Sequence, residues 1–202
     1  MYKKPVIVFE GIEGSGKSFH INNLSKFLKK KKISHLVIRE PGGSKNSEKI
    51  RDFILNKNLK FQNFTDLLLY LSARNENYNY LLKKNFKKKV ILIDRFTDST
   101  IAYQHYGMGL NLKIINLLNN HILKNFKVTF TFFNTVNKKN LKIRLNKRRI
   151  LNRYDKFDYK FYDNVQKGYL KLFSKRKNSI LINSNLSQEI NKDIIRNKLL
   201  QL

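Results

Sequence analysis

The sequence predicts an α/β fold, a five-stranded parallel sheet with helices on both faces. Three observations carry that expectation. Five short apolar runs alternate with helical periodicities along the chain. The first run feeds a glycine loop that opens a helix. Only two prolines, Pro5 and Pro41, occur in 202 residues, so few hard breaks limit the helices.

Taken in order, the first strand is expected at 5–9. The helix after it, at 17–31, sets Ile21, Leu24, Phe27 and Leu28 on one face. "HLVIR" supplies a second strand at 35–39, followed by helices at 45–56 and 63–86. "KVILI" at 89–93 is the third, followed by helices at 97–105 and 111–124. "KVTFTFF" at 127–133 is the fourth, with helices at 137–149 and 157–175 behind it. "SILIN" at 179–183 is the fifth, and a helix at 187–201 closes the pattern. Strands separated by helices pair in parallel and are covered on both faces. No internal repeat or linker is visible, so residues 1–202 read as a single domain.

The loop "EGIEGSGKSFH" (10–20) carries the chemistry. Gly11, four residues, then Gly16-Lys17-Ser18 is the P-loop spacing. Glycines let backbone N–H groups of Gly11, Ile12, Glu13, Gly14, Ser15 and Gly16 curl around phosphate oxygens. Lys17 reaches the β- and γ-phosphates, and the Ser18 hydroxyl ligates Mg²⁺. "VILIDRF" (90–96) adds a buried strand ending in Asp94, a carboxylate placed to orient the water shell of that Mg²⁺. Arg95 follows at the carboxyl edge of the sheet, where open α/β folds bind ligands and a guanidinium captures phosphate in two-pronged fashion.

Composition narrows the class further. There is no cysteine, which excludes disulfides and Cys-ligated metals. His20, His35, His105 and His121 have no metal-like spacing. No apolar run of about 18 residues exists and the N-terminus lacks the apolar stretch of a signal peptide, so a cytoplasmic protein without membrane contact is expected. The formal charge is +28, yet the lysines come in short runs at helix ends and loops, which reads as solvated surface. Lys, Asn, Ile, Leu, Phe and Tyr are abundant together, as an A/T-rich coding bias produces, so no nucleic-acid partner is expected. Of only 14 acids, five (Glu10, Glu13, Glu40, Asp94 and Asp98) sit in or beside the motifs, as metal and ligand work requires. The base-reading and switch sequences of GTPases are absent, as are H-R-D and D-F-G of protein kinases.

These motifs together resemble the bacterial thymidylate kinases, nearly end to end. The resemblance rests on "FEGIEGSGKS" (9–18), "REPGG" (39–43), "LYLSAR" (69–74), "DRFTDSTIAYQ" (94–104), "GMGL" (107–110) and "NRYD" (152–155). It implies the P-loop nucleoside monophosphate kinase architecture, homodimers, and Mg²⁺-dependent transfer from ATP to dTMP giving ADP and dTDP.

By resemblance, Arg95 clamps the dTMP phosphate, Tyr70 stacks on the thymine and Arg74 hydrogen-bonds it. Ser99 and Thr100 meet the base edge, Tyr103 packs under the sugar and Gln104 lies nearby. Glu13 faces the sugar 3′-hydroxyl. Glu40 and Pro41 belong to the loop walling the acceptor site, which a cis bond before Pro41 would shape. Asp98 reads as a helix cap or a support for its neighbours. The arginine-rich stretch 140–158 is expected to be a lid over ATP. Because Gly14 stands where some members carry arginine, the lid would supply the catalytic arginine, from Arg148 or Arg153, with Arg144 and Arg149 close by. Such a group is worth about 10³–10⁵ in rate.

The chain departs from the family pattern at Met108, usually arginine between two glycines, and at Phe19, usually a hydroxyl residue. Asn152 and Asp155 replace the lid's customary aspartate and glutamate, and "FYDNVQKGY" (161–169) lacks the usual basic residues. Two other readings stand beside this one: a different P-loop nucleoside or nucleotide kinase, and a non-catalytic nucleic-acid binder on the same scaffold.

Overall fold

A computed structural model of the chain describes residues 4–147 and 153–202, the side chains of residues 155 and 156 aside. The expected five-stranded parallel sheet is present. Its strands are β1 (Val6–Glu10), β2 (His35–Arg39), β3 (Val90–Asp94), β4 (Phe130–Thr135) and β5 (Ser179–Asn183), in spatial order β2-β3-β1-β4-β5. β1 lies central, with Phe9 level with Asp94 on one side and Phe132 on the other. Loops leaving β1 and β3 therefore start side by side, and the first strand order reversal falls at β1, where open α/β sheets bind ligands.

The three central strands, β3, β1 and β4, are buried on both faces. Ile7 and Phe9 point into a core with Leu24 and Leu28 of α1 (Lys17–Lys30) and Ile195 of α9 (Gln188–Leu200). Val6 and Val8 point the other way, against Ile91, Ile93, Leu123 and Phe126. This alternation is the period-2 pattern of a strand covered on both sides.

The remaining helices are α2 (Lys45–Leu55), α3 (Asn63–Asn77), α4 (Lys83–Asn85), α5 (Thr97–Thr100), α6 (Leu112–Leu123), α7 (Lys138–Asn146) and α8 (Tyr159–Ser174). Their starts follow capping chemistry: the side chains of Ser44, Asn111, Asn137, Asp158 and Ser187 each accept a backbone N–H of the helix they precede.

The structure differs from expectation in detail. The helix expected over 63–86 is broken by a wider π turn at Tyr78–Leu82, and the one expected over 97–105 continues as a π turn, Ile101–Gly107. Such turns accompany functional sites, and the second carries Tyr103 and Gln104. β4 begins three residues late, because Lys124 turns left-handed (φ 48°) and Phe126 inserts into the core before pairing starts. The helix expected over 137–149 ends at Asn146, and a single 3-10 turn (Arg153–Lys156) follows the undescribed segment.

Candidate active site

The glycine loop is shaped by what surrounds it. A side chain on Gly11 (φ 138°) would put a Cβ 2.2 Å from the Asn134 carbonyl oxygen, so only glycine passes between β1 and β4. Gly16, left-handed at φ 83°, caps α1 and leaves the helix's first N–H groups facing the loop, a ready anion site. Lys17 is buried, and its Nζ donates to the carbonyls of Gly11 and Ile12, at 2.9 Å each. Burial and the Arg95 charge push this ammonium down to about 8, partly offset by Asp94, Glu13 and Glu10.

Ser18 donates its hydroxyl to Asp94 Oδ2 at 2.8 Å, which brings the P-loop and the end of β3 together as expected. Asp94 Oδ1 is buried with no hydrogen-bond partner among the described residues. A hydroxyl beside a half-unsatisfied carboxylate suits Mg²⁺, which takes few protein oxygens and completes its octahedron with water and phosphate. Among the described residues no cluster of three His, Cys, Asp or Glu could hold a metal alone, which fits a cation shared with phosphate.

Arg95 is held in a polar cage. Its Nη2 donates to Glu13 Oε1 at 2.8 Å, and its Nη1 donates to the Gly11 carbonyl at 2.8 Å and the Tyr169 hydroxyl at 3.2 Å. The guanidinium lies over the Tyr103 ring at 5.2 Å. The other Glu13 oxygen accepts from the Tyr103 hydroxyl. Burial raises the Glu13 carboxyl, but Arg95, Lys17 and the Tyr103 hydrogen bond outweigh it and hold it below its ordinary value. Glu13 thus stays anionic and Arg95 cationic at neutral pH.

The far end of the cleft is built on a buried pair. Arg74 donates from Nε to Glu40 Oε2 at 2.7 Å, and from Nη1 to Thr100 Oγ1 at 2.9 Å and Asn119 Oδ1 at 2.6 Å. The Glu40–Pro41 bond is cis. Tyr70, Arg74, Glu40, Pro41, Arg95, Ser99, Thr100, Tyr103 and Gln104 line one cavity of about 350 Å³ together with Glu13, Gly14, Gly16, Lys17, Ser18 and Asp94. Every residue expected on the acceptor side therefore shares this cavity with the glycine loop. Gly11, Ile12 and Ser15, also in the loop, do not line the cavity, Ile12 and Ser15 being almost wholly buried.

The lid is where placement and expectation part. Arg148 lies outside the described residues. Arg153, expected over the ATP phosphates, is bonded to the buried Asp66 carboxylate of α3 and lies over Phe61 at 5.0 Å; it does not line the cavity. Its neighbour Tyr154 does, with its ring edge-on to Tyr70 and Tyr103. Arg144 instead meets the glycine loop, donating to the carbonyls of Gly14 and Ser184 at 2.7 Å each. Phe19 lines the cavity with the Lys192 ammonium 5.3 Å from its ring, and Met108 packs against the aromatic core beside the cleft.

Four supporting residues were not readable as such from the sequence: Glu10, Arg144, Tyr154 and Tyr169. Glu10 sits inside the glycine motif and Arg144 in an arginine-dense run, so each carried a signal without a partner. Tyr154 sat inside the "NRYD" motif without a role of its own, and Tyr169 carried only aromatic spacing, which core residues share.

The thymidylate kinase family model matches residues 9–195. The chain is 37% identical over 182 residues to thymidylate kinase of Thermosipho africanus (strain TCF52B), covering 90% of each chain. It is also 37% identical over 180 residues to thymidylate kinase of Acholeplasma laidlawii (strain PG-8A), covering 87% of this chain and 88% of that one. Among solved structures, the crystal structure of thymidylate kinase from Ehrlichia chaffeensis superposes with a TM-score of 0.77 at 27% identity, covering 98% of both chains.

Proposed function

Since the chain belongs to the thymidylate kinase family, we infer that it transfers the γ-phosphoryl group of ATP to dTMP, giving ADP and dTDP. The observation that supports this most is one cavity that joins the glycine loop to the Arg95 cage and the Tyr70–Arg74 end. Such a cavity seats a donor phosphate and an acceptor phosphate within one transfer distance, which is most of what phosphoryl transfer asks of a protein.

In this reading a phosphate oxygen of dTMP attacks the γ-phosphorus as the bond to the β-bridging oxygen breaks, and ADP leaves. The loop N–H groups and Lys17 neutralise the β- and γ-oxygens, with Lys17 exchanging its carbonyl partners for phosphate. Arg95 binds the acceptor phosphate while Glu13 holds the guanidinium level. Tyr70 stacks on thymine, Arg74 and Thr100 read its edge beside Ser99 and Gln104, and Tyr103 fills the space under the sugar. Glu40 and Pro41 form the wall. Mg²⁺ at Ser18 and Asp94 would supply charge neutralisation between the phosphates. Arg148 and Arg153 are the lid arginines assigned to the transferring group; Arg153 would have to leave Asp66 to reach it.

The whole of 1–202 serves as one catalytic domain in this reading, cytoplasmic and homodimeric. The dimer reading is supported by Phe64 and Leu68 on α3 and Ile114 and Leu117 on α6, all exposed. Among the described residues no helix is long and apolar enough to cross a membrane.

Titration of dTMP into the protein and into Arg95→Ala and Tyr70→Ala tests the acceptor site. A loss of affinity of about tenfold or more is expected in each, the size of one lost charged or aromatic contact. Unchanged affinity in both would contradict the site.

A further inference from the structure

Most of the 42 basic residues behind the +28 charge lie outside the site, and the fold shows where many of them go. In a parallel sheet every helix-to-strand connection lies at the same edge, the one opposite the ligand-binding edge. Here those connections, with the helical turns that lead into them, are "KKKKIS" (29–34), "KKNFKKK" (83–89), "KNFKVT" (124–129) and "KRKN" (175–178). They contain no Asp or Glu. The first two place four exposed lysines each on that edge, and the last two place two each. Runs far apart in sequence converge into one single-sign face.

Helix C-termini favour cations, which accounts for a lysine or two per helix end. It does not account for three of the backbone positions. Lys32 (φ 55°), Lys87 (φ 62°) and Lys124 (φ 48°) are left-handed, a conformation glycine adopts freely and an L side chain only with strain. The face thus carries charge at positions where the backbone favours glycine.

We propose that this edge is a binding face for the phosphate backbone of double-stranded nucleic acid. Five strands at about 4.8 Å spacing make a row about 19 Å long, enough for about five base pairs at about 3.4 Å each. None of the four connections exposes a large apolar side chain, which a membrane-surface site needs for insertion and a single-strand site for stacking. Binding is sequence-independent, because lysines reaching phosphates carry no base information.

The test uses the full chain and a labelled DNA duplex of mixed sequence, across a range of salt concentrations. The edge variant combines Lys32→Gln, Lys87→Gln, Lys88→Gln, Lys124→Gln and Lys177→Gln. A control of equal net charge combines Lys45→Gln, Lys49→Gln, Lys57→Gln, Lys60→Gln and Lys113→Gln, all exposed and in α2, the segment after it and the first turn of α6. The expected result is a log–log salt slope of about −5 for the unaltered protein, from about five or six phosphate contacts. The edge variant should bind at least tenfold more weakly with a shallower slope, the control within about threefold, and both should keep full phosphotransfer activity. Equal weakening in both variants would overturn the proposal, since net charge alone would then suffice. So would no duplex binding near physiological salt, or tighter binding to anionic phospholipid vesicles than to the duplex.

Discussion

Glu10 fixes Arg95 from behind. The Glu10 carboxylate, fully buried, accepts from the backbone N–H of Phe96 at 2.8 Å and of Ser99 at 3.2 Å, and from the Ser99 hydroxyl at 2.5 Å. These bonds grip the chain just past Arg95, whose backbone is left-handed at φ 67°. A non-glycine residue pays about 1–3 kcal/mol for such a conformation and keeps it only where its surroundings impose it. Strain at Arg95 is thus offset by a carboxylate that does not line the cavity.

Replacing that carboxylate should therefore injure acceptor binding before donor binding. Glu10→Ala leaves buried N–H groups unsatisfied, at about 1–3 kcal/mol each, and frees Arg95 to relax. The expected outcome is a rise in KM for dTMP of about tenfold or more with KM for ATP little changed, and a lowered urea midpoint. Glu10→Gln, which keeps one acceptor oxygen, should recover part of the loss.

The same relationship shows what a sequence can and cannot reveal. The glycine loop, Asp94 and the strands were legible because each is a local pattern with one physical meaning. The left-handed backbone at Arg95 was not, since residue preference there points to glycine. Arg74 and Glu40 were each assigned to the ligand, yet they pair with one another across 34 positions, and Arg144 meets Gly14 across 130. Partnerships over such distances are set by topology. The convergence of four lysine runs on one edge is the same kind of fact: each run read alone is ordinary solvated surface.

Lys17 should trade stability for function. Its folded pKa of about 8 lies below the ordinary 10.5, so the folded state binds fewer protons than the unfolded state between those values. Stability of the ligand-free protein therefore rises as pH climbs from about 8 to 10.5, and below that window the buried charge is a standing penalty. Lys17→Met should raise the thermal midpoint at pH 7 by relieving about 1–3 kcal/mol while abolishing turnover. In the unaltered enzyme, kcat/KM for ATP should fall as pH rises through about 8, where the free ammonium is lost.

Arg144 should tune the donor site alone. With its two bonds to the Gly14 and Ser184 carbonyls removed in Arg144→Met, the loop loses its outer support. A rise of about tenfold in KM for ATP is expected, on the scale of one or two charge-assisted hydrogen bonds, with dTMP affinity kept. Steady-state kinetics with each substrate varied in turn checks the split.

Nucleoside diphosphate formation from Mg²⁺·ATP, with dTMP, dUMP, dCMP, dGMP, AMP and UMP offered in turn beside Lys17→Ala, reads out acceptor choice and the work of the glycine loop together. Turnover with a clear preference for dTMP that disappears in Lys17→Ala is the expected result. Turnover of another acceptor in preference to dTMP, or none with any acceptor, would contradict it.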